Sequence, residues 1–189
     1  MPRAELVIGL ALAGLMTLTR SHHFASALHL PDASWAVFFL AGAYLRPAWA
    51  LPALLALAAG VDLAAIRFGG VAGSCLSPAY VLLAPAYGAL WLAGRWYARR
   101  HRLAWSTLGP LALAVTAGTL ACELLSSGGF YFLSGRFAET GLAEFAARLL
   151  RYFPGDLQAV AFYVGLAAAL HLVLALARGA GRAAAPGRG

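Results

Sequence analysis

Lysine is missing from this chain altogether, acidic residues number only seven, and cysteine occurs twice in 189 residues. Each shortage excludes something. Charged residues make up 11% of the chain, against about a quarter in soluble globular domains, so an ordinary soluble domain is excluded. Cys75 and Cys122 stand too far apart in sequence to form a disulfide framework, and no Cys-x-x-Cys of a thiol oxidoreductase occurs. Neither a Gly-x-Ser-x-Gly elbow nor a Gly-rich phosphate loop is present. The formal charge of +7 comes from arginines dispersed between apolar stretches rather than from one basic patch, so no nucleic-acid partner is expected. A cleavable leader is not expected either, because Leu6–Leu18 runs into Arg20-Ser21-His22-His23 instead of a small-residue cleavage site. Ala72-Gly73-Ser74-Cys75 has the look of a lipoprotein box, but it lies in mid-chain between apolar runs.

What the chain has in abundance is apolar surface, with 62% of its residues hydrophobic. A membrane span needs about 20 mostly apolar residues, fewer when neighbours shield its ends. Six stretches qualify: Glu5–Leu18, Ser34–Leu45, Ala48–Ile66, Pro78–Trp96, Trp105–Ser126 and Leu157–Ala177. Asp32 or Ser34 is placed to cap the second, Pro47 and Pro52 separate the second from the third, and Ser77-Pro78 reads as the start of the fourth. The expectation is an all-α membrane protein of six transmembrane helices over residues 1–178, with a disordered cytoplasmic tail at 179–189.

Arginine placement orients these spans. One set of ends carries Arg3, Arg46, Arg95, Arg99, Arg100, Arg102, Arg178, Arg182 and Arg188; the other carries Arg20, Arg67, Arg136, Arg148 and Arg151. The excess in short loops predicts that both termini are cytoplasmic. The segments 19–33, 67–77 and 127–156 then face outward. Within the last, Leu142, Phe145, Ala146, Leu149 and Leu150 recur at helical spacing, which predicts an amphipathic helix over Glu139–Tyr152 lying on the outer face. The preceding loop, 127–137, contains Gly128-Gly129-Phe130-Tyr131-Phe132 and reads as flexible aromatic material able to act as a lid.

On this topology the reactive residues converge on one side. Cys75 precedes the first helical position of the fourth span by three residues, where a helix N-terminus favours thiolate. The plain alternative for it is a buried structural cysteine, a reading that suits Cys122 better. Asp62 is a carboxylate in an apolar run, functional by default unless it serves a structural hydrogen bond. Glu123 poses the same question. Tyr80 follows Cys75 by five residues and either faces the same cavity or anchors at the interface. His22 and His23 with Cys75 offer three zinc donors, yet no further close pair supports a closed structural zinc site. No haem is expected, since His171 lies alone within a span and His29 and His101 sit at span ends.

These residues together resemble a known family. His22-His23, the run Leu30-Pro31-Asp32-Ala33-Ser34-Trp35-Ala36-Val37-Phe38-Phe39-Leu40-Ala41-Gly42, Asp62, and Cys75-x-x-Ser77-Pro78-Ala79-Tyr80 resemble BtuM, small corrinoid-binding S-components related to energy-coupling factor (ECF) transporters. The resemblance implies an S-component-like bundle in the bacterial inner membrane that takes up cobalamin (vitamin B12) or cobinamide from the periplasm. It implies Cys75 as an axial ligand to the cobalt of cobalamin, and His23, Asp62 and Tyr80 as substrate-binding and proton-handling residues beside it. Thiolate is a strong axial donor, so loss of an upper ligand such as cyanide follows as an accompanying activity. Many S-components carry Ala-x-x-x-Ala on the first helix for docking to the energising module. Gly9-x-x-x-Ala13 stands here instead, a packing pattern common to helix bundles, which leaves that partner open. The competing readings are a membrane thiol-dependent corrinoid-modifying enzyme without transport, and a structural subunit without a ligand.

Overall fold

The computed structural model describes residues 2–20, 30–68 and 78–183, with side chains described as far as residue 178. Every regular element in them is helical: α1 (Arg3–Arg20), α2 (Ser34–Tyr44), α3 (Ala50–Phe68), α4 (Leu83–Ala98), α5 (Leu108–Leu133) and α6 (Leu142–Ala183). Tight 3-10 turns over Pro78–Leu82 and Trp105–Thr107 lead into α4 and α5. A helix satisfies its own backbone, which is what an apolar solvent demands. Three segments, Ala50–Phe68, Trp105–Leu133 and Leu142–Arg178, are long and apolar enough to cross a membrane; Ser34–Tyr44 is a shorter apolar helix. The bundle turns apolar side chains outward, with Val81 74%, Val173 61% and Leu166 60% exposed. Water would penalise that exterior; lipid matches it.

At the centre runs α2. It is apolar on all sides, and Ala36 through Gly42 are buried without interruption, as a helix packed on every face must be. It packs on α1, α3, α4 and α6. The closest approach is to α4, where Phe38 and Tyr87 stack with ring centroids 4.4 Å apart. Two glycines permit it. A Cβ on Gly42 would overlap the Trp91 carbonyl, and one on Gly94 would overlap that of Phe39. The start of α2 is held by Asp32, whose Oδ1 accepts from the Ser34 amide at 2.9 Å and the Ser34 hydroxyl at 2.7 Å.

Two expectations are corrected. The stretch Gly128–Phe132 is not a flexible loop but the last turns of α5. Its glycines serve packing: a Cβ on Gly129 would strike the Leu82 side chain, and one on Gly128 would meet the Phe145 ring at 3.2 Å. Nor is Glu139–Tyr152 a separate helix resting on the surface. Leu142–Ala183 is one helix that passes through Pro154. Proline forfeits a single helical hydrogen bond, whereas ending one helix and starting another strands about four groups at each new terminus. In an apolar setting the first loss is smaller. The same helix continues through Gly179–Ala183, into the stretch expected to be tail.

Contacts sort the chain into two ends. At one, Arg46 Nε lies 3.6 Å from Glu5, and Arg95 donates to the carbonyls of Leu45 and Arg46 at 3.2 and 3.0 Å. At the other, Arg20 meets Ser34 and Asp62.

Candidate functional site

Asp62 sits near the end of α3, and Tyr80 in the turn that opens α4; between them runs the segment 69–77. The Tyr80 hydroxyl donates to Asp62 Oδ2 at 2.8 Å. Two residues singled out by the sequence are thus brought into contact. Cys75, His22 and His23, the other residues of that expectation, lie outside the described residues, as does His29.

Arg20 organises the pair. Its Nε donates to Asp62 Oδ1 and its Nη2 to Oδ2, both at 2.7 Å. This two-pronged geometry is the strongest available between guanidinium and carboxylate. Its remaining nitrogen, Nη1, donates to Ser34 Oγ at 3.0 Å and to the Tyr87 hydroxyl at 2.9 Å. With side chains 9% and 24% exposed, the charges of Arg20 and Asp62 neutralise each other where neither is tolerated alone. One carboxylate therefore accepts three hydrogen bonds and is held rigidly, with part of its edge open. Sequence reasoning counted Arg20 only as an orienting charge. The available signal was complementary: a lone arginine and a lone aspartate at the same end of their helices, each needing a partner.

A cavity of about 680 Å³ borders this end of the bundle. Trp35, next to Ser34, lines it, and its α5 wall packs through Gly129 against Leu82, two residues past Tyr80. Its sides are aromatic. Tyr131 and Phe145 face each other with centroids 5.8 Å apart, and Phe137 lies 4.8 Å from the Tyr131 ring. Polar groups tie this corner down. The Tyr131 hydroxyl donates to Glu144 at 3.0 Å and accepts from the Gly141 amide at 3.0 Å; Arg148 donates to Glu144 at 2.9 Å. Arg148 also lies over the Phe137 and Tyr131 rings at 4.9 and 5.4 Å. Glu123 and Asp156 both line the same cavity. The size and mixed lining are those of a small-molecule site.

Cys122 is buried within α5 and free, in keeping with a packing role. Among the described residues no group of three or more His, Cys, Asp or Glu is placed to hold a metal ion. His171 does have a neighbour that the sequence did not reveal: His101 meets it edge to face at 5.2 Å.

No protein-family model and no curated protein matches this chain.

Proposed function

We propose that this is a six-span inner-membrane protein, both termini cytoplasmic, that captures cobalamin or cobinamide on its periplasmic face and carries it inward. The observation that carries the reading is the Tyr80–Asp62 hydrogen bond of 2.8 Å. It joins two of the residues that the BtuM resemblance assigns to the corrinoid site, and it brackets the segment that contains the third, Cys75. The cavity of about 680 Å³ supports it with apolar aromatic surface for one edge of a large planar ring.

In this reading Cys75 thiolate takes an axial position on the cobalt of the substrate. It displaces the nucleotide base where there is one, so cobinamide is accepted as well. Sulfur donation weakens the bond to the opposite ligand, and cyanide leaves with its electron pair. Asp62, held by Arg20, accepts the one Tyr80 hydroxyl proton; rotation of that hydroxyl away from the carboxylate would present the proton to the departing cyanide. His23 belongs to the same proton path.

The test is growth on limiting cobalamin in cells stripped of their own importer. Wild-type protein restores growth. A thiol-dependent modifying enzyme without transport would convert added cyanocobalamin in membranes yet fail to restore it, and that outcome would replace the proposal. A ligand-free structural subunit would do neither.

A further inference from the structure

At the end of the bundle away from Asp62 lies a second cluster that corrinoid capture does not use. His101, in the loop after α4, and His171, on α6, are each held at Nδ1. The Tyr97 hydroxyl is 2.8 Å from the first and the Tyr44 hydroxyl 3.3 Å from the second. Engagement at Nδ1 leaves Nε2 of both rings without a partner among the described residues. Both rings line a cavity of about 230 Å³. It shares Tyr97, His101, Leu103 and Leu172 with an adjoining cavity of about 370 Å³, to which Arg102, Trp105 and Leu108 also belong.

Two features identify the occupant. The first is polarity of one kind: the Arg102 guanidinium and two imidazoles line the cavities, and no acidic residue does. The second is the apolar floor. Leu103 is 65%, Leu108 54% and Trp105 88% exposed, leading from the polar groups along α5 and α6. Burial and the neighbouring His171 hold His101 below the ordinary imidazole value, and with Nδ1 engaged by Tyr97 the Nε2 side of the ring faces a ligand. A soluble anion would meet the donors and leave the floor bare. A lipid covers both.

We propose that this is a binding site for one anionic phospholipid, its phosphate between His101, His171 and Arg102 and its acyl chain along Leu103, Leu108 and Leu172. The site is independent of whether a corrinoid binds at the other end.

Native mass spectrometry of the full-length protein tests it, with phosphatidylglycerol, phosphatidylcholine of matched chains, and glycerol phosphate as probes. The expected result is at least fivefold greater retention of phosphatidylglycerol than phosphatidylcholine, falling as salt rises, with no competition from glycerol phosphate. His101→Phe/His171→Phe and, separately, Arg102→Gln should bring phosphatidylglycerol down to the phosphatidylcholine level, while Arg99→Gln, outside both cavities, should not. Should the histidine double variant fail to fold, the exposed Arg102 decides alone. Equal retention of the two lipids, displacement by glycerol phosphate, or undiminished retention in the folded variants would overturn the proposal.

Discussion

Arg20 uses a side chain that is 9% exposed to make four hydrogen bonds, and its removal from water makes its partners matter. Truncating Asp62 to Ala strands the guanidinium with Ser34 and Tyr87 alone. Breaking a buried pair costs about 3–5 kcal/mol; the partial exposure of Asp62 puts the expected loss at the lower end of that range. Replacing both partners, as Arg20→Met with Asp62→Leu, should recover most of it, since neither charge is then left alone. Thermal unfolding in detergent reads both effects. Tyr80→Phe removes one hydrogen bond and should cost only about 1 kcal/mol, so it separates function from folding: a folded Tyr80→Phe protein that still removes cyanide at the wild-type rate would refute a proton role for Tyr80. His101 gives a pH dependence of definite sign. Its value in the folded protein is lowered, first by burial and then by His171. The unfolded chain therefore binds a proton first as pH falls through about 6.5. Stability is full above that value and declines below it, and a melting series from pH 7.5 to 5.5 should show a smaller decline in His101→Gln.

Helices α2 and α4 approach closely only because Gly42 and Gly94 lack side chains at the crossing. Gly94→Val should therefore abolish folded yield or cost several kcal/mol, because backbone and not a mobile side chain blocks the added atoms. Gly60 and Gly88 have no heavy atom within 4 Å of an added Cβ. Alanine at either should be neutral or stabilise by about 0.5–1 kcal/mol. Gel-filtration yield and melting temperature decide between these outcomes. The contrast also shows what was legible in the sequence. Apolar runs became helices with boundaries close to those expected, at Ser34, near Pro47 and at Pro78, since proline and capping residues act locally. Glycine has two uses that look alike in sequence, and at Gly128-Gly129 flexibility was inferred where close packing on Leu82 and Phe145 operates. The Arg20–Asp62 bond spans 42 positions, and His101 with His171 spans more. Such pairings are decided by how helices pack, and no local pattern announces them.

For the whole molecule, the apolar exterior and the two polar ends fit a membrane protein, and the orientation proposed for it rests on its arginines. The topology is open to direct measurement. A fluorescent-protein fusion at the C-terminus should be bright, and alkaline phosphatase inserted after Phe137 should be active; the reverse pattern would invert the orientation. The proposed corrinoid site has a separate test. Its central claim is that a thiolate from Cys75 binds cobalt beside the Tyr80–Asp62–Arg20 network. The most direct measurement is the absorption spectrum of the purified protein with cobalamin, wild type against Cys75→Ala. A sulfur-to-cobalt charge-transfer band present in the wild type and absent from the variant is the predicted result. A wild-type protein that stays colourless, or a Cys75→Ala protein with the same spectrum as wild type, would contradict it.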